Sequence, residues 1–255
     1  MLLLCGMLLL LNVIASAQRI VSLVPSVTQT LKQMGADDKV VARTSYCPKS
    51  ESGETVVIGD VLSVNVEKIV SMRPTAVVTM GFTKPEVIEK LRKMKVNVVE
   101  LTTPSTFEEM CGQTLKLGEL AGCEESAEKM VEKARIRLEE KEKIESEGKK
   151  MFIEIGVRPL WGASPKTYQD EMIRKMGYVN VVDKGNGSIS REALYAAKPD
   201  VVVVALSSEM AADEVRSWKS VKGVKTVVAN DDKMNCPTPL NYVDVLEDIM
   251  KQIGE

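Results

Sequence analysis

Two glutamates sit in the same frame of two matching stretches of this chain. In "NVEKIVSMRPTAVV", Glu67 is followed by Arg73, Pro74 and Val77-Val78. In "SREALYAAKPDVVV", Glu192 is followed at the same offsets by Lys198, Pro199 and Val202-Val203. Each stretch reads as a short helix, a break at a basic residue and a proline, and a buried strand. The helix dipole favours a carboxylate near a helix start, which accounts for either glutamate singly. It does not account for both keeping one offset. Duplication of one α/β unit does.

The chain contains no histidine. That removes Ser-His-Asp and Cys-His catalysis, the usual zinc sites and histidine ligation of haem. No Gly-x-Gly-x-x-Gly follows the first strand and no Walker loop appears. An enzyme with paired Rossmann-like domains is the competing class, though no poised catalytic set is visible. A metal-ion-binding protein of similar shape is disfavoured by the missing histidine. The chain has 255 residues and a net charge of −2, which supports real cores and argues against nucleic acid as a partner.

Strands and helices alternate through most of the chain. Strands are predicted at 19–24, 40–44, 75–80, 96–101, 151–156, 200–206 and 225–230, with helices between them, so the fold class is α/β with mostly parallel sheets. Capping boxes are predicted at Ser26/Gln29, Thr83/Glu86 and Ser105/Glu108. Residues 157–167 read as a loop. "EESAEKMVEKARIRLEEKEKIESE" (Glu124 to Glu147) has no Gly or Pro and one narrow apolar stripe, so it reads as one straight helix roughly 36 Å long. The expected organisation is a signal peptide (1–17), an N-terminal α/β lobe (18–122), a connecting helix (123–148) and a C-terminal α/β lobe (149–255).

In open α/β sheets, ligands bind beyond the carboxyl ends of the strands. Two facing lobes put those ends on either side of a cleft. The loops expected to line it carry Pro25, Ser26, Tyr46, Cys47, Pro48, Gly81, Phe82, Arg158, Trp161, Gly162, Ser207 and Asn235. Trp218 is expected in the core.

The first residues, "MLLLCGMLLLLNVIASAQ", are apolar and end in Ala15-Ser16-Ala17, the pattern of a secretory signal cleaved before Gln18. The stretch is short for a membrane span. Cys47, Cys111, Cys123 and Cys236 would remain. Their spacing matches no zinc or iron–sulfur site, and they read as small apolar side chains with one disulfide left open.

"RIVSLVPSVTQTLKQMGADDKVV", "SYCP", "GYVNVV" and the two glutamate stretches together resemble the periplasmic solute-binding proteins of ABC importers for vitamin B12, ferric siderophores and haem. The resemblance covers the whole mature chain. It implies two Rossmann-like lobes joined by a rigid helix, limited closure around the ligand, and no resident cofactor, any cobalt or iron arriving with the ligand. It also implies an extracytoplasmic monomer that delivers a corrinoid or ferric chelate to a membrane permease. By motif, Glu67 and Glu192 are the glutamates that dock onto permease arginines. Tyr46 matches the family's aromatic cleft residue. Tyr46 and Trp161 suit a flat macrocycle or catechol, and Arg158 suits a carboxylate, phosphate or siderophore oxygen. "CPTPLN" replaces the family's usual basic Pro-rich stretch, and aromatic content is only 4%.

Overall fold

The structure, a computed structural model, describes residues 18–53, 55–60, 63–140, 146 and 148–254. The expected signal peptide lies outside the described residues. The first sheet runs β3 (Val56–Val57), β2 (Val40–Arg43), β1 (Ile20–Ser22), β4 (Ala76–Met80), β5 (Val98–Leu101), and every pairing in it is parallel. α1 (Pro25–Gln33), α2 (Val66–Ser71) and α3 (Pro85–Lys93) connect these strands. The strands are Val- and Ile-rich because helices cover a parallel sheet on both faces; β4 is buried along its whole length.

The second sheet repeats that order. β10 (Lys225–Val228), β9 (Val201–Val204), β6 (Lys150–Val157) and β8 (Val179–Asn180) are parallel neighbours, answering β5, β4, β1 and β2. α6 (Tyr168–Lys175), α7 (Arg191–Ala197) and α8 (Ser208–Lys219) are their crossovers, followed by α9 (Asp231–Met234) and α10 (Pro239–Gly254).

The repeat extends to single hydrogen bonds. Asn65 caps α2 by accepting from Lys68 N–H, and Ser190 caps α7 by accepting from Ala193 N–H, both two residues before the matched glutamate. Arg73 and Lys198, each just before its proline, take left-handed backbone, with φ of 49° and 51°. The side chain of Arg19, next to β1, donates to the Met72 carbonyl at the end of α2, and its N–H donates to the Thr75 hydroxyl at 3.0 Å. Lys150 of β6 does the same: Nζ to the Ala197 carbonyl at 3.0 Å and N–H to Asp200 Oδ2 at 2.7 Å. A cation on the last carbonyls of each helix is the favourable arrangement for the dipole.

Helix starts differ from the expected boxes. α1 and α3 begin on Pro25 and Pro85, with no side-chain cap on either. Proline has no N–H to satisfy and its φ already suits a first helical residue, so it displaces the serine and threonine boxes. At α4 (Phe107–Ala121) the box falls one residue later: Thr106 accepts from Glu109 N–H, and the Glu109 carboxylate accepts from Ser105.

The charged helix is shorter than its composition suggests. α5 spans Glu124–Glu139, about 24 Å, and closes at Glu140. Residues 141–145 and 147 lie outside the described residues. Ser146 is not helical; it is buried, and its hydroxyl donates to the Met176 carbonyl at 2.9 Å.

α5 shares its role with α4. The two are antiparallel, joined at Gly122, whose φ of 61° ends α4. They lie so close that a Cβ at Gly118 would come 2.5 Å from the Ala127 methyl. Phe107, Met110 and Cys111 of α4 and Val131 and Ala134 of α5 enter the C-terminal core, with Phe107 against the Tyr242 ring at 5.2 Å. Leu117 and Ala121 of α4 and Ala127 and Met130 of α5 enter the N-terminal core. Thus α4, which the sequence boundary at 122 assigns to the first lobe, straddles both cores. α10 packs alongside, and Arg137 of α5 ties to its Asp244 and Glu247 at 2.7 Å each.

The region expected as a loop after β6 folds back as β7 (Leu160–Gly162), antiparallel to β6 around Arg158-Pro159. Gly162 is buried beneath Phe152, whose ring carbon would lie 2.1 Å from an added Cβ. Gly162→Ala should therefore cost about 1–3 kcal/mol by overpacking. Urea unfolding midpoints would show it, and an unchanged midpoint would mean the hairpin is not seated on Phe152.

Candidate functional site

A cavity of about 640 Å³ lies between the lobes, within the range of small-molecule sites. Its N-terminal wall is Pro25, Gln29 and Gln33 of α1 with Tyr46 and Pro48 of the loop after β2. Its C-terminal wall is Asp231, Asp232 and Lys233 of α9, then Asn235 and Cys236, with Asn241 and Asp244 of α10. α1 supplies three residues because Pro25, Gln29 and Gln33 recur every four positions, forming one face of the helix. Val27 and Leu31 are buried on the other.

The lobes are bonded to each other at the cavity's edge. Thr238 Oγ1 donates to Gln33 Oε1 at 2.8 Å, and Gln33 Nε2 donates to Asn241 Oδ1 at 2.9 Å. Asn241 Nδ2 in turn donates to the Cys236 carbonyl at 2.7 Å.

The Tyr46 loop is held from below. Buried Arg43 donates through Nη1 to the carbonyls of Thr44 and Cys47 at 3.1 and 3.0 Å. The Cys47 thiol lies 3.2 Å from the Thr44 hydroxyl. Cys47 thus faces inward, while Tyr46 stands out at 68% exposure. Past Pro48 the chain is fixed by Asp37 Oδ2, which accepts from Ser50 Oγ at 2.7 Å, Glu51 N–H at 2.7 Å and Ser52 N–H at 3.1 Å. Burial opposes the Asp37 charge, but these donors outweigh it and hold the carboxyl below the usual aspartate range. A depressed pKa stabilises above the unfolded value and is lost as pH falls through the folded one. Stability should therefore drop below pH ~4. Asp37→Asn should flatten that acid limb in urea titrations at pH 5 and pH 3; an unaltered limb would show that Asp37 does not anchor the loop.

The cavity wall is acidic. Asp244 is compensated by Lys233 at 2.6 Å and by Arg137 at 2.7 Å. Burial opposes its charge, yet Lys233 and Arg137 keep its carboxyl below the ordinary value. Asp231 and Asp232 occupy the first turn of α9, where the dipole favours them. Lys233 is the one cation among the lining residues.

Of the residues expected at the cleft, Pro25, Tyr46, Pro48 and Asn235 line this cavity. Phe82, exposed to 76%, borders a smaller hollow that shares Pro25 with the cavity and is lined also by Leu23 and Thr44. Ser26 faces a crevice toward Gln113 of α4 and Thr238. Cys47, Gly81, Arg158, Trp161, Gly162 and Ser207 do not line the 640 Å³ cavity. Trp161 is held in β7 opposite Gly156 and bridged to Ser188, and Arg158 is exposed in the hairpin turn. Ser207 precedes α8 in the open. Gln29, Gln33, Asp231 to Lys233, Asn241 and Asp244 were not expected. The polar stripe of α1 was a signal for the first two.

Glu67 and Glu192 each occupy the second residue of their helix and are exposed. The carboxyl of Glu67 is lowered by the Lys90 side chain bonded to it and by its own N–H; that of Glu192 is lowered by its own N–H and by Ser190. Cys47, Cys111, Cys123 and Cys236 are free thiols. Burial pushes Cys111 and Cys236 up to about 12, so neither is a nucleophile at neutral pH.

Two α/β lobes of one topology, a helical pair between them and a lined cavity where they meet define a bilobal small-molecule-binding fold. The chain belongs to the periplasmic binding protein family, whose profile matches residues 20–231. It is similar to the vitamin B12-binding protein of Yersinia pestis, 24% identical over 231 residues, covering 88% of this chain and 82% of that one. The structure of the periplasmic vitamin B12 binding protein of Vibrio cholerae superposes with a TM-score of 0.74 at 20% identity, covering 93% of this chain and 97% of that one. The periplasmic heme binding protein of Vibrio cholerae gives 0.80 at 19% identity, covering 94% and 100%.

Proposed function

We propose that this protein is the extracytoplasmic capture component of an ABC importer, that it makes and breaks no bond, and that its ligand is a corrinoid held between the lobes. The observation that carries this is the inter-lobe cavity, walled by α1 and the Tyr46 loop on one side and by α9 and α10 on the other. Its chemistry favours a neutral or cationic, amide-rich guest. Gln29, Gln33, Asn235 and Asn241 offer both donors and acceptors. The carboxylates of Asp231 and Asp232 would repel haem propionates or an anionic ferric catecholate. Tyr46 and Phe82 offer apolar area at low rotamer cost.

Haem is the second reading. A tyrosine phenolate can serve as its axial ligand, and Tyr46 is exposed at the cavity. Of the remaining cleft residues expected from sequence, Arg158, Trp161 and Ser207 belong to this proposal as contacts made on closure, whereas Cys47 and Gly162 are buried inside their lobes. The protein is exported through residues 1–17, acts as a monomer and meets its permease through Glu67 and Glu192. Their support is the shared offset, cap and exposure of the two residues.

Titration of the mature protein with cyanocobalamin, haemin and ferric enterobactin separates these readings. Saturable binding of cyanocobalamin, weakened about tenfold or more by Tyr46→Ala, is expected. A Soret shift with haemin alone would move the assignment to haem. No binding to any of the three would overturn the ligand proposal.

A further inference from the structure

A buried acid pair lies beneath the second docking helix, away from the ligand cavity. Glu154, on β6, is fully buried between Val204 of β9 and Gly162 of β7. Its Oε2 accepts from Trp218 Nε1 of α8 at 2.9 Å. Its Oε1 has no hydrogen-bond partner and lies 4.0 Å from Arg191 Nη2. Arg191 opens α7, one residue before Glu192, and its Nη2 donates to both oxygens of Glu214 of α8 at 2.6 and 2.7 Å. Its Nη1 is buried without a partner. Tyr195, one turn along α7, interacts with Arg191, and its ring packs on Trp218 at 5.4 Å.

The cluster holds two carboxylates and one guanidinium. With all three ionised it carries an uncompensated negative charge out of water, which is costly. A proton on Glu154 removes that charge. Burial pushes the Glu154 carboxyl up to about 7, the Trp218 bond opposes the rise, and the Glu214 charge reinforces it against the pull of Arg191. The groups facing it are Arg191 and Tyr195 from α7 and Glu214 and Trp218 from α8. Its strand neighbours Val204 and Gly162 carry no charge.

We infer that Arg191 is a positioning residue for docking: Glu214 and Glu154 hold it, it fixes the first turn of α7, and the proton on Glu154 sets how firmly Glu192 is presented. This rests on the reading of Glu192 as a docking residue. Below neutral pH the protonated pair and Arg191 form a compensated unit. Above it, two carboxylates repel across one guanidinium and the first turn of α7 loosens. The sign agrees with linkage: a folded pKa above the unfolded one gives stability that is lost as pH rises through the folded value.

The test pairs amide hydrogen exchange of residues 191–195, corrected for intrinsic rates, with binding of the protein to its ABC permease in nanodiscs at pH 6 and pH 8. Wild type should open α7 about tenfold more readily at pH 8 and bind the permease correspondingly more weakly. Glu154→Gln, which stays neutral and keeps an acceptor for Trp218, should flatten both profiles and leave cyanocobalamin affinity unchanged. Arg191→Ala, with Arg191→Lys as the milder variant, should weaken permease binding at both pH values. A wild-type pH profile in Glu154→Gln would overturn the proposal. So would undiminished permease binding in both Arg191 variants while Glu192→Ala still weakens it. If Glu192→Ala itself has no effect, the docking reading fails, and this proposal with it.

Discussion

Cells carrying the Glu67→Ala/Glu192→Ala double variant should import ligand at a small fraction of the wild-type rate, while the purified variant binds ligand normally. Both carboxylates are exposed on helix first turns, and neither lines the inter-lobe cavity. A hydrogen bond to a charged group is worth about 1.5–3 kcal/mol. On the proposed docking role, losing one such bond on each lobe should weaken docking by roughly a hundredfold or more, since about 1.4 kcal/mol is a factor of ten. Uptake of labelled ligand beside titration of the purified protein separates the two effects. Normal import would remove the docking role, and lost ligand affinity would place these residues in the binding site instead. Glu67→Ala alone also frees Lys90 from its ion pair. That exposed pair adds little stability, so thermal denaturation of the single variant should barely move.

The second large effect is on stability. Trp218→Ala should cost roughly 3–5 kcal/mol. Trp218 is fully buried, packs on Tyr195 and belongs to the core formed with Phe152, Leu194, Val202 and Val204. It also supplies the donor to Glu154 Oε2. Trp218→Phe separates the two contributions. It keeps most of the apolar area and strips the donor, leaving a buried carboxyl oxygen unpaired at a cost of about 1–3 kcal/mol. Urea unfolding at pH 6 measures both. Equal losses for the two variants would mean the Glu154 bond dominates, and no loss for Trp218→Phe would mean the bond contributes nothing net.

Such a network is invisible in the linear order of residues, because Glu154, Arg191 and Trp218 lie on three separate elements. The glutamate pair was legible for the opposite reason. Its frame depends on features a few residues apart: a cap, a carboxylate, a basic residue, a proline and a valine run. The structure adds the Arg19 and Lys150 tethers, which repeat the same bonds from strands far away in sequence.

The half-legible features are also instructive. Alternating strands and helices followed from hydrophobic period, yet β7 was read as loop. A three-residue strand is too short to repeat the two-residue alternation of a strand, and only its pairing with β6 defines it. The charged, Gly-free sequence favours one helix through Glu147, yet α5 closes at Glu140 and Ser146 is not helical. On the cavity's first wall, Pro25, Tyr46 and Pro48 were anticipated from strand ends. On the second, Asp231 to Lys233, Asn241 and Asp244 were not, since their place depends on how α9 and α10 pack.

By itself, then, the chain's sequence determined its α/β class, its duplication, its matched carboxylates and the chemistry that a missing histidine forbids. These rest on local propensity and short-range spacing, which act wherever the chain is. Tertiary structure alone decided that α4 and α5 both serve two cores, that Gln33 reaches Thr238 and Asn241, and which side chains meet across the cavity. Those outcomes come from burying apolar faces against segments far off in sequence, and that packing is set by the shape of the whole molecule.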